Sequence, residues 1–476
     1  MKFSKYFQLG KEQAELDFVD VNPSADTRLF VDPYAISIRR DMWSQDCGDS
    51  LRSFFQEVLE ALRKSDSYRI ATLMSQLSEP RETYLGMSRG TPKGRGVGRF
   101  QATQIASALR SSQAFQTGLL ADLSDAELFI EGIGPDKISD LTTNVIRGNL
   151  IRYTQEQCEL HGITKLREVA VGPVWNSTHT RWEAGYRSVP IVQGKPVILV
   201  PKFSVRSRLC LDSQEFYNHH MIEFLRQEYE SAGHSLVHIL KNGTRRVYKK
   251  DVKERHPFAK DHLADFALKH PKVLDLYKKI AGAKGALDSE DMVDGFKDHE
   301  FAKALRTALK NIPAGMKSAG EYHSFMIGAL TFLFYPDLIE PVKEKEIHEG
   351  RKRIDLVYTN SASEGFFHRV LAWPSTRAIK VMIECKNYSK EMGNPELDQL
   401  TGRFGHQRGF FGIIVCRAIS NRAKLILSCK DAANDTRGYM LALDDEDIDR
   451  MLAFVEKRQR PEISRYLSAR LDALNM

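Results

Sequence analysis

Two stretches, KRIDLVYTN (residues 352–360) and AIKVMIECKNYS (378–389), decide how the C-terminal third is read. Each is an apolar, β-branched run of strand character. Successive side chains of a strand point to opposite faces. Ile379, Val381, Ile383 and Cys385 therefore form one apolar face, and Lys380, Met382, Glu384 and Lys386 form the other. In the first stretch Ile354 and Leu356 share the apolar face, and Asp355 takes the opposite one. If the two strands pair across the long loop 359–377, Asp355 and Glu384 converge, with Lys386 alongside.

Two converging carboxylates on a partly buried face repel each other unless a cation intervenes. Mg²⁺, a hard ion that prefers oxygen ligands, suits such a pair. A lysine beside it can orient water and hold a phosphate oxygen as a point charge. The plainer alternative is a set of cross-strand salt bridges on a solvated sheet face. An acid-x-Lys triplet alone decides little, since Asp251 and Lys253 form another within a basic run.

The surrounding order of elements narrows the choice. From residue 313 the pattern reads as a helix over EYHSFMIGALTFLF, then strands at PVKEKEIHE, RIDLVYT and AIKVMIECKN. A helix at NPELDQLTGRFG, a strand at GFFGIIVCR and a helix at NRAKLILSCKDAAND follow, then a strand at GYMLAL and the helix DDEDIDRMLAFVEK. The sequence predicts αβββαβαβα, a mixed sheet flanked by helices in the α/β class.

On Asp355 in RIDLV, Glu384-Cys385-Lys386 in IECKN and Gln399 on the next helix, residues 321–450 resemble the PD-(D/E)xK nuclease superfamily, in the Mrr-like restriction-endonuclease branch. The resemblance implies a restriction-endonuclease-like fold and Mg²⁺-dependent cleavage of DNA, with Mn²⁺ able to substitute. By that analogy Asp355 and Glu384 ligate the metal, the Cys385 carbonyl adds a ligand and Lys386 acts on the water. Glu321 matches an acid on the opening helix of this fold, as an outer metal ligand; it equally suits a helix start, where the dipole favours an acid. Gln399 stands where many relatives carry a helical glutamine, and its plainer reading is a solvated helix face. A QxxxY pattern would need tyrosine at 403, where this chain has Arg403.

The rest of the chain matches no family by its residues. Residues 1–205 read as an α+β domain of unknown role, 206–312 as a mostly helical region with a basic run, and 313–476 as the nuclease-like domain. NIPAGMKSAG is the linker before the last of these. KPVILVPKFSV reads as a buried strand. The Gly-rich SRGTPKGRGVGRF (88–100) fits either a flexible loop or a phosphate cradle. KNGTRRVYKKDVKERH fits a DNA-backbone contact or a solvated turn. GPDKISD places Asp136 and Asp140 after an expected strand, and with Lys202 they would make a second, degenerate site; Val200 stands where its acid should be, and turn chemistry from Gly, Pro and Asp explains the motif more simply.

Composition agrees with a globular protein: 42% hydrophobic, 28% charged and a net charge of +7 over 476 residues. That charge permits a nucleic-acid partner without demanding one. The six cysteines include no CxxC pair, which argues against a structural zinc site. With neither a signal-peptide core nor a membrane-length apolar run, the expectation is a cytoplasmic protein without a membrane partner. The layout points to bacterial restriction or antiphage defence and leaves room for self-association and for a regulatory protein partner. Alternatives are a DNA-repair or junction-resolving nuclease, and a nucleic-acid-binding module that keeps the fold without cleaving.

Overall fold

The computed structural model describes residues 1–86, 99–343, 356–387 and 394–475. The Gly-rich loop falls almost wholly outside the described residues, and so does Asp355.

Buried apolar side chains gather in two clusters. The first holds residues from Phe3 to Ala281 together with Ile339, and the second holds residues from Ala302 to Leu474 together with Ala14 and Leu160. The helical segment after residue 206 therefore has no core of its own: Phe216, Ile222, Leu263, Phe266 and Tyr277 pack into the N-terminal cluster.

The centre of the N-terminal unit is the helix Met42–Arg63. Trp43, Cys47, Leu51, Phe54, Phe55, Val58 and Leu62 recur at helical spacing and are all buried. Its first turn is capped by Asp41, whose Oδ1 accepts from the Ser44 amide at 2.9 Å, a contact worth about 1 kcal/mol. Trp175 and Trp182, from the hairpin Val174–Asn176 and Arg181–Glu183, close edge-on against Phe54. The segment KPVILVPKFSV departs from a single strand. Only Lys195–Pro196 and Val205–Arg206 join ladders, while Ile198 and Val200 make single bonds to Glu82 and Val19. An apolar run threading a core fills the same buried volume as a strand, so composition does not separate the two.

In the C-terminal unit the helix α1 (Asp298–Asn311) precedes α2 (Ala319–Phe334). Then come β1 (Leu338–Val342), β2 (Leu356–Asn360), α3 (Gly365–Ala372), β3 (Lys380–Lys386) and α4 (Asn394–Thr401). β4 (Phe411–Cys416), α5 (Arg422–Asn434), β5 (Tyr439–Asp444), α6 (Asp445–Glu456) and α7 (Pro461–Asn475) complete it. The five strands lie in sequence order, β1 to β5, and β3 is central. β1–β2 and β2–β3 are antiparallel; β3–β4 and β4–β5 are parallel. A mixed α/β sheet is present; its first strand begins three residues before the expected PVKEKEIHE, most of which lies outside the described residues, and α3, inside the span read as a loop, and α7 add to the expected order.

The two units meet through polar contacts as well as packing. Lys11 Nζ donates to the Ser324 carbonyl at 2.8 Å, and Gln157 Nε2 to the Pro341 carbonyl at 3.0 Å. Gly328 makes this approach possible: a Cβ there would lie 2.3 Å from Glu15 Oε1. β1 carries an irregularity between Ile339 and Val342, with Glu340 at φ +51°. Left-handed backbone is costly outside glycine. It accompanies a buried Glu340 carboxylate that accepts from Thr359 Oγ1 at 2.9 Å.

Candidate active site

β3 delivers the site. Val381, Met382 and Ile383 are completely buried, and ladders to β2 and β4 hold the strand on both sides. Glu384 follows this apolar run and is itself only 1% exposed. A carboxylate taken that far from water costs several kcal/mol unless it is paired and hydrogen-bonded. Here Lys386 Nζ donates to Oε1 at 2.6 Å, and Gln399 Nε2 donates to the same oxygen at 3.1 Å. The Arg403 guanidinium donates through Nη1 to Oε2.

Gln399 and Arg403 reach Glu384 together because they are four residues apart, one helical turn. Gln399 sits on α4 and Arg403 just past its end. The helix lies tightly on the sheet at Gly412 of β4, where a Cβ would meet Leu400 Cδ2 and the Met382 carbonyl at 3.0 Å each. Asn387, directly after β3, is tied to the segment before α2: its Nδ2 donates to the Gly315 carbonyl at 2.8 Å, and the Gly315 amide donates to the Asn387 carbonyl at 3.0 Å.

Lys386, Cys416 and Asp444 stand in register at the C-terminal ends of the three parallel strands. That edge is where open α/β sheets place their ligands. Beside it Tyr322 donates to Asp445 Oδ1 at 2.9 Å, and Arg417 pairs with Asp445 Oδ2 at 3.1 Å. Burial pushes the Asp445 carboxyl up to about 6, against the Tyr322 hydroxyl and the Arg417 charge.

The residues singled out in the sequence are distributed as follows. Glu384, Lys386 and Gln399 come together. Cys385 takes the opposite face and packs against the C-terminal apolar cluster. Glu321 lies exposed in the first turn of α2, and among the described residues no hydrogen bond or ion pair joins it to Glu384. Asp355 lies outside the described residues; the last described pair of the β2–β3 ladder is Leu356 with Ile383. Asp136 and Asp140 lie on the helix Pro135–Val145, not after a strand. Lys202 is buried elsewhere, its ammonium 4.2 Å from the Tyr335 ring centre, so a second site is not assembled there.

Sequence reasoning missed Arg403 as a partner of Glu384. The signal was present: a cation one turn beyond Gln399 shares its helix face. A charged residue at a helix end also reads as ordinary solvated polarity, which hid it.

Among the described residues no three histidine, cysteine or carboxylate side chains form a metal-holding group. Mg²⁺ is nevertheless commonly held by only one or two carboxylates, its remaining positions taken by water and substrate phosphate. Glu384 fits as one such ligand in chemistry and place, with the condition that Arg403 already engages one of its oxygens.

Comparison with known proteins touches only the other half of the chain. The family described as a domain of unknown function (DUF8370) matches residues 8–212, which end well before the candidate site. No curated protein and no solved structure matches the chain.

Proposed function

We propose that the chain is a divalent-cation-dependent DNA endonuclease of the restriction-endonuclease-like class, with its catalytic centre around Glu384. The carrying observation is that buried carboxylate at the end of the central strand, with Lys386 and Gln399 on one of its oxygens. A purely structural salt bridge at this depth is a poor source of stability compared with apolar packing. A site that must gather charge around a reacting phosphate accounts for it better.

In this reading Glu384 and Asp355 hold Mg²⁺, or Mn²⁺ in its place, with the Cys385 carbonyl as a further ligand and Glu321 as an outer one. Such an ion, when bound, acidifies water and offsets charge on the phosphate. Lys386 holds the attacking water and a phosphate oxygen, and Gln399 keeps the Glu384 carboxylate in orientation. The water oxygen bonds to phosphorus, one P–O ester bond breaks, and the departing sugar oxygen takes up a proton. One phosphate terminus and one hydroxyl terminus result.

The N-terminal unit and the basic run KNGTRRVYKKDVKERH would then recognise the target, a partner or a second copy of the chain, in bacterial restriction or antiphage defence. Among the described residues no helix is long and apolar enough to cross a membrane. One observation favours a second reading. Both Glu384 oxygens are held by side-chain donors, as they would be in a nucleic-acid-binding module that has kept the fold without cleaving. Plasmid cleavage by the purified chain with and without Mg²⁺ separates the two.

A further inference from the structure

The Arg403 side chain is 1% exposed, and one of its nitrogens, Nη1, is accounted for by Glu384. Its Nε and Nη2 are buried and have no hydrogen-bond partner among the described residues. A guanidinium is a fixed fork of five N–H donors, and leaving buried donors unmade costs about 1–3 kcal/mol each. Glu384 takes up only one of the Arg403 nitrogens, so the guanidinium offers more donors than that carboxylate uses. An anionic oxygen from outside would satisfy them.

We propose that Arg403 is an exchangeable clamp for the phosphodiester: it holds Glu384 in the empty site and passes to a phosphate oxygen when metal and DNA bind. This rests on the nuclease reading above and adds a residue and an order of events to it. A cation approaching Glu384 Oε2 competes with the guanidinium already there, because two positive groups on one oxygen repel. Without DNA, Arg403 therefore weakens metal binding. With DNA, the phosphate gives the guanidinium a second anionic partner and relieves that competition. Bidentate recognition of phosphate oxygens is what this fork does best, and a lysine in its place offers only a point charge.

The opposed signs of these two effects separate the clamp from a structural ion pair. The test uses the purified full chain, with free Mn²⁺ followed by electron paramagnetic resonance in the absence of DNA and single-turnover plasmid cleavage at saturating Mn²⁺. Arg403→Met keeps most of the stem volume and removes the charge. It is expected to bind Mn²⁺ about tenfold more tightly, within the range of coupled sites, and yet to cleave on the order of 10²-fold more slowly. Arg403→Lys is expected to bind Mn²⁺ near the wild-type affinity and still cleave slowly; it carries the test if the methionine variant does not fold by circular dichroism. Unchanged Mn²⁺ affinity or undiminished cleavage in Arg403→Met overturns the clamp and leaves the nuclease reading standing, provided the wild type binds Mn²⁺ and cleaves. If the folded Lys variant must carry the test, undiminished cleavage overturns the clamp. A wild-type chain that neither binds Mn²⁺ nor cleaves overturns both.

Discussion

Glu384 and Arg403 form an ion pair whose side chains are each 1% exposed, at the point where the central strand meets the end of a flanking helix. Lys386 and Gln399 share the carboxylate's other oxygen. A buried carboxylate bearing three side-chain donors fixes where the strand, the helix and the charge of the site lie relative to one another.

The packing of α4 is the first consequence open to test. Gly412 leaves no room for a larger residue, since even a Cβ would press on Leu400 and on the Met382 carbonyl. Gly412→Val is expected to lower stability by about 1–3 kcal/mol through overpacking. It should also reduce cleavage beyond any loss of folded protein, because Gln399 and Arg403 move with the helix. Urea unfolding alongside activity per folded molecule measures both; cleavage that tracks folded fraction alone would show that the helix position does not matter to the site.

Lys386 separates chemistry from charge balance. Lys386→Ala is expected to bind DNA and Mg²⁺ and to cleave far more slowly, because the ammonium acts on water and phosphate in the transition state. Lys386→Arg should recover little, since the planar fork does not replace a compact ammonium. Near-wild-type single-turnover cleavage by Lys386→Ala would reduce the lysine to a partner of Glu384.

The basic run after residue 240 is an exposed hairpin and a short helix. Arg245 and Arg246 are exposed on the strand Arg245–Arg246, whereas Lys249 pairs with Glu223 at 3.1 Å and Lys250 approaches Glu254 at 3.7 Å. If this surface meets DNA, Arg245→Ala with Arg246→Ala should weaken binding across sequences. The slope of log K against log salt should fall by roughly 0.9 per lost phosphate contact. Replacing Lys249 and Lys250 should do less, because their charge is already opposed. Filter binding from 50 to 200 mM salt reads this out, and an unchanged slope assigns the run to a solvated surface.

Where the units meet, burial pushes the Glu340 carboxyl up to about 8, and the nearby Asp41 and Asp17 add to the shift against Lys380 and Thr359. Unfolded, the same group releases its proton near 4.5. Between those values the folded state binds more protons than the unfolded one, so this group makes stability fall as pH rises from 4.5 to 8. Glu340→Gln should flatten that dependence by at most about 1.4 kcal/mol per pH unit. Urea unfolding at pH 5, 6, 7 and 8 supplies the comparison; parallel curves for the two proteins would refute the assignment.

Much of the C-terminal sheet was legible because period-two alternation survives in AIKVMIECKN, and because helices and strands alternate at ordinary lengths. The pairing of that strand with LVYTN and the common face of Glu384 and Lys386 fit the same alternation, whereas Gln399, on a helix, was pointed to by the family resemblance alone. Helix α3 was hidden because GFFHRVLA is short and ends near Pro374, inside a span that also suits a loop. Which core an amphipathic helix buries on cannot be read from its own face. Phe266 and Tyr277 therefore gave no sign that they complete the N-terminal cluster. Arg403 was hidden by chemistry: most helix-end arginines face water, and only the position of Glu384 shows that this one does not.

The central claim is that Glu384 works on a phosphodiester rather than merely bridging strand and helix. The most direct measurement is single-turnover cleavage of supercoiled plasmid by the purified wild-type chain and by Glu384→Ala, with Mg²⁺ and with chelator. The account predicts Mg²⁺-dependent nicking or linearisation by the wild type, and a loss on the order of 10³-fold in the variant, about 4 kcal/mol of transition-state stabilisation. Equal cleavage by a folded Glu384→Ala protein, or no cleavage by the wild type under any of these conditions, would contradict it.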